Sequence, residues 1–140
     1  MTRTEILELV ERRHAASNRH DVGVLTDLHA EDGTVESQMA GTVQGRAAIR
    51  DVYDAFFRAF PDLIARSDDV LIDGNRVVQF YTVTGTDAGG FMGLPPTGKP
   101  FRLPMVLLYT IENGLIAHER RIYDFTGLLV QIGVLKAKPA

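Results

Sequence analysis

The sequence predicts an α+β domain in which helices pack on one face of a curved sheet. Before Pro61, apolar residues recur at the spacing of amphipathic helices; beyond it, they alternate with the period of two that is typical of β-strands. Helices followed by an antiparallel meander are characteristic of α+β proteins. A length of 140 residues favours a single domain that spans residues 1–140.

Three helical segments make up the first half of the chain. Thr2 and Glu5 have the spacing of a capping box, and the apolar stripe of the helix that follows includes His14. Asp21 is suited to cap a short second helix. Residues 46–60 predict a third helix, which a proline ends. Its broad apolar face consists of Ile49, Val52, Tyr53, Phe56 and Phe60.

Strand patterns dominate the second half. A turn and a short strand at residues 31–41 come before the third helix, and four strands follow it. Asp-Gly within residues 73–75 and Asn-Gly within residues 112–114 predict hairpin turns. A connection rich in Gly and Pro occupies residues 87–100, and residues 125–135 predict a short final helix. The four strands are predicted at residues 63–72, 76–86, 101–111 and 115–124.

Composition and charge limit the function classes. The net charge of −3 argues against a nucleic-acid partner, whose binding surface would be basic and clustered. The chain has no cysteine, and its histidines lack the paired spacing of metal ligands, so we expect no metal. The longest apolar run, residues 105–109, is too short to span a bilayer, and no signal peptide is recognisable at the N-terminus. We therefore expect a cytoplasmic protein with no membrane contact.

The inward face of the last strand is not determined by these patterns. In the strand at residues 101–111 the odd positions carry the large apolar side chains, so we assign them to the helix-facing side. A two-residue turn then places His118 and Arg120 inward on the last strand, whereas one bulge places Glu119 and Arg121 inward instead. On the opposite face, apolar side chains such as Val106 favour a subunit contact.

Several short motifs resemble those of a known family. They come in order over residues 60–133, and the pair "GLPPTGKPF" and "GLL-Q-G" is the most specific. The chain resembles the SnoaL-like polyketide cyclases of the nuclear-transport-factor-like superfamily, to which ketosteroid isomerase also belongs. The resemblance implies a cone of three helices on a strongly curved sheet, a pocket in its open end, a short C-terminal helix and a homodimer through the outer sheet face. The motifs are "FPDL", "TGT", "FMGLPPTGKPF", "ENGLI", "YDFTGLL" and "QIG".

The same resemblance implies which side of the last strand faces the pocket. It also implies that this chain lacks the catalytic residues of the family's reaction. The catalytic Asp of the cyclases falls at Arg121, and the His that supports it falls at Leu107. Glu119 and Arg121 would then face the pocket, which requires a bulge or a longer turn in the hairpin. Because arginine is a poor general base, we do not carry the cyclase mechanism over to this chain.

Glu119 and Arg121 are the candidate catalytic residues. They lie two apart on one strand, so an inward arginine would keep the carboxylate ionised and could bind an anionic or carbonyl oxygen. The alternative is a salt bridge at the rim, which would contribute little. Asp124 is more simply a helix cap than a catalytic group, and Asp87 is expected to be solvated. The expected pocket-lining residues are His14, Tyr53, Phe56, Tyr81, Met105, Leu107, Tyr109 and Tyr123.

We therefore expect an enzyme without a cofactor that acts on a hydrophobic, oxygen-bearing ring compound. Glu119 would transfer a proton or activate water, and replacing it with glutamine would abolish turnover with little change in thermal stability. Two alternatives stay open: an enzyme similar to the epoxide hydrolases of the superfamily, which hold a water with two carboxylates around an arginine, and a non-catalytic module that binds a hydrophobic ligand.

Overall fold

A computed structural model describes residues 1–136 of the chain. It contains four helices and a six-stranded mixed sheet, which confirms the predicted α+β class. The last four residues of the predicted domain lie outside the described part. The helices are α1 (Arg3–Asn18), α2 (Val22–Asp27), α3 (Arg46–Ala59) and α4 (Phe125–Gln131). The strands are β1 (His29–Ser37), β2 (Gly41–Gln44), β3 (Ile64–Asp73), β4 (Arg76–Thr86), β5 (Pro100–Glu112) and β6 (Leu115–Tyr123).

The predicted caps begin three of the helices. Thr2 and Glu5 form the capping box of α1, with reciprocal bonds of 3.1 and 2.9 Å between side chain and backbone. Asp21 accepts a backbone N–H of α2 at 3.1 Å, and Asp124 accepts one of α4 at 2.8 Å. Each cap satisfies a donor that the first turn of a helix leaves unpaired. Asp124 thus has the structural role that the sequence favoured.

The sheet is open, and β2 and β3 form its two edges. Its strand order is β2-β1-β6-β5-β4-β3, with β1 parallel to β6 and the other neighbours antiparallel. The short strand predicted at residues 31–41 corresponds to β1, but its bounds differ, and the second strand of the hairpin, β2, was not predicted. The early part of β1 is exposed at Glu31 and Asp32, so it lacks the apolar alternation that would have indicated a strand.

A β-bulge sets the register of the last hairpin. The closing pair of the turn is Glu112 with Leu115, as a two-residue turn predicts. Ile111 then pairs with Ile116, but Thr110 pairs with His118, so Ala117 is an extra residue on β6. The bulge reverses the faces of every residue that follows it in the strand.

The main core lies between the concave side of the sheet and the helices. The odd positions of β5 face it as predicted, and Phe101, Leu107 and Tyr109 are all buried. Aromatic side chains of α3 pack against this layer, and rings of Phe60 and Phe101 lie 4.8 Å apart. This packing leaves β6 with one face in the protein interior, where charged side chains must find partners.

The long connection between β4 and β5 is organised by a buried carboxylate. Asp87 is fully buried rather than solvated, which corrects the expectation for this residue. Its oxygens accept hydrogen bonds of 3.1 Å from the backbone of Gly90 and from the backbone and hydroxyl of Thr97. Asp87 thus holds two distant parts of the connection together, and its contacts lie within that connection.

Within residues 1–136 no helix is long and apolar enough to cross a membrane.

Candidate functional site

The bulge in β6 turns two charged residues into the interior. Glu119 is fully buried and Arg121 is 5% exposed, whereas Arg120 between them is exposed on the outer face. Leu107 is the neighbour of Arg121 on β5. The face implied by the family resemblance is therefore the one that the structure has, and the Glu119–Arg121 pair is not a salt bridge at the rim.

Glu119 is the centre of a buried polar cluster, which we define as Arg13, His29, Tyr53, Glu119 and Arg121. One carboxylate oxygen of Glu119, Oε1, accepts hydrogen bonds from Arg13 Nε and from the Tyr53 hydroxyl, both at 3.0 Å. The other oxygen, Oε2, accepts one from Arg121 Nε at 2.7 Å. Arg13 Nη2 lies 2.9 Å from Oε1 and also donates to the Tyr53 hydroxyl at 3.0 Å.

Arg13 is one of two residues of this cluster that the sequence did not predict. It is 4% exposed, on the same buried stripe of α1 as Leu9 and Ala16. Residues three to four apart share one face of a helix, so an arginine on that stripe was the available signal. The prediction for this helix was the neighbouring residue, His14, because histidine is the commoner acid–base group near neutral pH.

His29 completes the cluster from the start of β1. Its Nδ1 lies 2.8 Å from the Leu25 carbonyl oxygen, and since a carbonyl only accepts, Nδ1 carries a proton. The other ring nitrogen, Nε2, lies 3.6 Å from Glu119 Oε1 and has no hydrogen-bond partner. His29 is the second residue of the cluster that the sequence did not predict.

The charges of the cluster are fixed by its contacts. Burial alone would raise the pKa of Glu119, but the guanidinium groups of Arg13 and Arg121 hold this pKa well below its ordinary value. Burial would lower the pKa of each arginine, yet the Glu119 carboxylate keeps both pKa values above the ordinary one. At neutral pH the cluster therefore contains one carboxylate and two guanidinium groups. A carboxylate with so low a pKa is a poor general base.

A mainly apolar cavity of about 50 Å³ lies beside the cluster. Space of this size holds a few water molecules, so a ring compound would require side chains of the wall to move. Ser17, Phe57 and Met105 are the half-buried parts of that wall. Six predicted site residues line the cavity: Tyr53, Phe56, Tyr81, Met105, Leu107 and Arg121. Arg13, Ser17, Phe57, Leu63, Ala65 and Val83 complete it.

The structure places the other predicted site residues outside this lining. Glu119 lies behind the two arginines that contact it. His14 faces a groove between α1 and β3, and its ring stacks on Tyr81 with centroids 5.4 Å apart. Tyr109 is fully buried and its hydroxyl donates to Gln79 at 3.4 Å, while Tyr123 packs among aromatic rings. The pattern of alternation predicts which face of an element a residue lies on. It does not predict how far along the element the cavity lies, so these four residues were wrongly placed in its lining.

Two residues of the cavity wall carry buried donors that have no acceptor. Arg121 Nη2 and the Tyr81 hydroxyl are buried and make no hydrogen bond in the described structure. The guanidinium carbon of Arg121 lies 4.6 Å from the centroid of the Tyr53 ring, a cation–π contact that does not use its N–H groups as hydrogen-bond donors. Burial raises the pKa of Tyr81, so its hydroxyl keeps its proton. The polar end of the cavity therefore offers donors rather than acceptors.

Metal ligands are not grouped in this region. Among residues 1–136, no three His, Asp or Glu side chains come together as a metal site would require.

The arrangement of helices on an open, bulged sheet places the chain in the ketosteroid-isomerase-like class of α+β folds, a fold seen in a protein from Catenulispora acidiphila DSM 44928 in complex with trimethylamine. That structure is 22% identical, covers 94% of this chain and 98% of its own, and has a TM-score of 0.79, which shows the fold alone. Within this class, the family model of the SnoaL-like polyketide cyclases matches residues 8–132, and the chain belongs to that family.

Two further solved structures are similar over nearly the whole chain. AclR from Streptomyces galilaeus, described as a candidate hydroxylase, is 27% identical, covers 99% of this chain and 87% of its own, and has a TM-score of 0.85. TsrD from Streptomyces laurentii is 25% identical, covers 96% of this chain and 99% of its own, and has a TM-score of 0.83. No curated protein sequence matches this chain significantly.

Proposed function

We propose that the protein is an enzyme that needs no cofactor and acts on a hydrophobic, oxygen-bearing ring compound in the central cavity. Arg121 would bind the substrate oxygen on which negative charge develops, as in an enolate or the adduct of an ester. The observation that carries this proposal is the Arg121 guanidinium, which lines a mainly apolar cavity and keeps one nitrogen, Nη2, without a hydrogen-bond partner. Donors fixed in a dry site before the reaction are an effective means of stabilising an oxyanion.

Glu119 has a different role in this proposal from the one the sequence suggested. Its carboxylate accepts bonds from three side chains and its pKa is well below the ordinary value, through the nearby arginines and against the effect of burial. Such a group holds Arg121 in place and does not itself remove a proton from the substrate. Proton transfer would then involve solvent, because the ionisable groups lining the cavity are arginines and tyrosines.

The contacts also rank the alternatives. A mechanism like that of the epoxide hydrolases uses two carboxylates around an arginine, but within residues 1–136 only Glu119 is paired with Arg121. The described cluster has the inverse composition, with two arginines around one carboxylate. A non-catalytic module would use the same cavity and donors, so turnover is what separates it from an enzyme.

We expect Arg121→Met to lower kcat by roughly 10²–10³-fold, the usual cost of removing one oxyanion donor. The substitution leaves Arg13 and Glu119 as a neutral pair, so the variant should fold. Turnover would be followed by mass spectrometry on a panel of β-dicarbonyl compounds, enones, lactones and epoxides.

Arg120→Met is the matched control for this experiment. Arg120 is the neighbouring residue of the same strand, but it faces outward and pairs with Glu36 at 3.6 Å. Its replacement should leave kcat unchanged. Binding of panel compounds without any turnover would instead favour the non-catalytic module. Turnover of epoxides alone would favour a mechanism like that of the epoxide hydrolases.

We also propose that the protein is a homodimer through the outer face of the sheet. Phe80, Val106 and Ile122 are paired across three neighbouring strands, and Phe80 is 38% and Ile122 41% exposed. Contiguous exposed apolar side chains of this kind are typical of subunit contacts. Leu71, Val78, Pro104 and Leu108 extend the same face.

Phe80→Lys should convert such a dimer to a monomer, because it places an unpaired charge in an apolar contact. Light scattering coupled to size-exclusion chromatography at tens of micromolar protein would measure the mass. Leu7→Lys is the control, since Leu7 is similarly exposed but lies on α1. A wild-type protein that is monomeric under these conditions, or a Phe80→Lys variant that stays dimeric, would contradict the proposal.

A further inference from the structure

The buried cluster carries more positive than negative charge. Two guanidinium groups contact Glu119, at 2.9 Å for Arg13 and 2.7 Å for Arg121. The other buried carboxylate among the described residues, Asp87, is bound by donors of its own connection. His29 adds a further positive charge whenever its ring is protonated. The excess is therefore at least one positive charge, in side chains that are almost completely removed from solvent.

This excess calls for a partner that is not part of the cluster. A buried arginine stays protonated, because its pKa is too high for it to lose the proton. A charge in the interior is destabilising unless an opposite charge lies beside it. The Tyr53 ring stabilises the Arg121 guanidinium partly, through its face. It does not satisfy the in-plane N–H groups, and Arg121 Nη2 has no acceptor.

Arg121 both lines the cavity and carries a donor that has no partner. Arg121 uses Nε for Glu119, which orients the guanidinium, and Arg121 itself lines the cavity. The Tyr81 hydroxyl is a second unpartnered buried group in the same lining. The remainder of the wall is largely apolar, with Phe56, Leu63 and Leu107 among its members. A molecule that satisfies this surface has one oxygen-rich end and an apolar body.

We infer that the cavity takes a small apolar molecule in its anionic form, with the negative oxygen against the Arg121 guanidinium. The ligand class is that of cyclic or aromatic carboxylates, phenolates and enolates. This inference rests on the proposed function for the location of the site, and it adds that the bound molecule carries a full negative charge that neutralises the cluster. A neutral ketone or amide of the same shape would leave the excess positive charge uncompensated.

The test compares matched pairs of anionic and neutral probes in equilibrium binding. Acetate and acetamide are small probes for the cavity as it stands, and benzoate and benzamide add a ring that requires the half-buried wall to move. Titrations at constant ionic strength would be followed by NMR, through the arginine Nε–H signals. Charge-assisted hydrogen bonds are much stronger than neutral ones, so we expect each carboxylate to bind roughly 10- to 100-fold more tightly than its amide.

Two arginine variants locate the anion. Arg121→Met should abolish the preference for the carboxylates, because it removes both the free donor and the excess charge. Arg13→Met keeps the donor but makes the cluster neutral, so it should weaken carboxylate binding and leave amide binding nearly unchanged. Arg120→Met, on the outer face, should alter neither. Circular dichroism would verify that each variant is folded.

The outcomes separate this inference from the proposed function. Amides that bind as tightly as carboxylates to the wild-type protein would overturn the anionic ligand class, and so would carboxylate binding that survives Arg121→Met. Either result leaves a catalytic role of the cavity intact. Carboxylate binding that depends on Arg121, in a protein that turns over no compound of the panel, would support the anion site and reject the enzyme.

Discussion

Glu119→Gln should lower the free energy of unfolding by about 3–5 kcal/mol, the usual cost of breaking a buried ion pair by removing one partner. Glutamine matches glutamate in shape, so the loss comes from charge rather than packing. Arg13 and Arg121 would remain buried with no carboxylate between them, and their mutual repulsion would no longer be offset. This replaces the expectation from the sequence that Glu119→Gln would leave thermal stability nearly unchanged.

Denaturant unfolding at pH 7, followed by circular dichroism, measures this effect directly. Glu36→Gln is the matched control, because the Glu36 side chain is 40% exposed and pairs with Arg120 at 3.6 Å on the outer face. Exposed pairs are usually worth about 0–1 kcal/mol, so this control should be close to the wild-type protein. Equal effects of the two substitutions would show that the buried cluster does not stabilise the fold.

The same variant has a signature in the dependence of stability on pH. The pKa of Glu119 is well below its ordinary value in the folded protein, held there by the arginines against the effect of burial, so the unfolded chain binds the proton more readily. The stability that Glu119 contributes is therefore complete above the unfolded pKa of about 4.3 and is lost as the pH falls towards the folded pKa. Glu119→Gln should lack this component of acid destabilisation, while Glu36→Gln should retain it.

Much of the fold was predictable because its signals are local. Caps at Thr2, Asp21 and Asp124 depend on side chains within three residues, and the hairpin turns depend on Asp-Gly and Asn-Gly. The hairpin of β1 and β2 was not predicted, since β1 begins with exposed acidic residues in place of alternating apolar ones. Its place in the sheet, parallel to β6, is a long-range contact that no local pattern encodes.

The candidate site was predictable only in part, for a similar reason. The turn residues alone place Glu119 on the outer face of the sheet. Its inward orientation depends on a bulge at Ala117, which no local sequence pattern predicts. Family resemblance supplied that bulge. The role of Glu119 depends further on Arg13 and Tyr53, which come from two helices far away in the chain. With His29 from β1, the cluster is assembled from four elements, so it can be recognised only when their packing is known.

Replacing the cluster as a whole should have the opposite effect on stability from breaking it. We expect the variant that combines Arg13→Met, Tyr53→Phe, Glu119→Leu and Arg121→Met to be as stable as the wild-type protein or about 1–4 kcal/mol more stable. The unfavourable free energy of desolvating three charges offsets much of their electrostatic attraction. Apolar side chains of similar volume need no such desolvation. The same variant should show neither turnover nor a preference for carboxylates over amides.

This contrast tests why the chain keeps charges in its interior. Unfolding free energies of the wild-type protein, Glu119→Gln and the four-residue variant would be compared with benzoate titrations of all three. A stable four-residue variant without ligand binding would show that the cluster is retained for the ligand rather than for the fold. A four-residue variant that is less stable than Glu119→Gln would show instead that the fold depends on the ion pairs themselves. Retained binding of benzoate would place the anion site elsewhere than at Arg121.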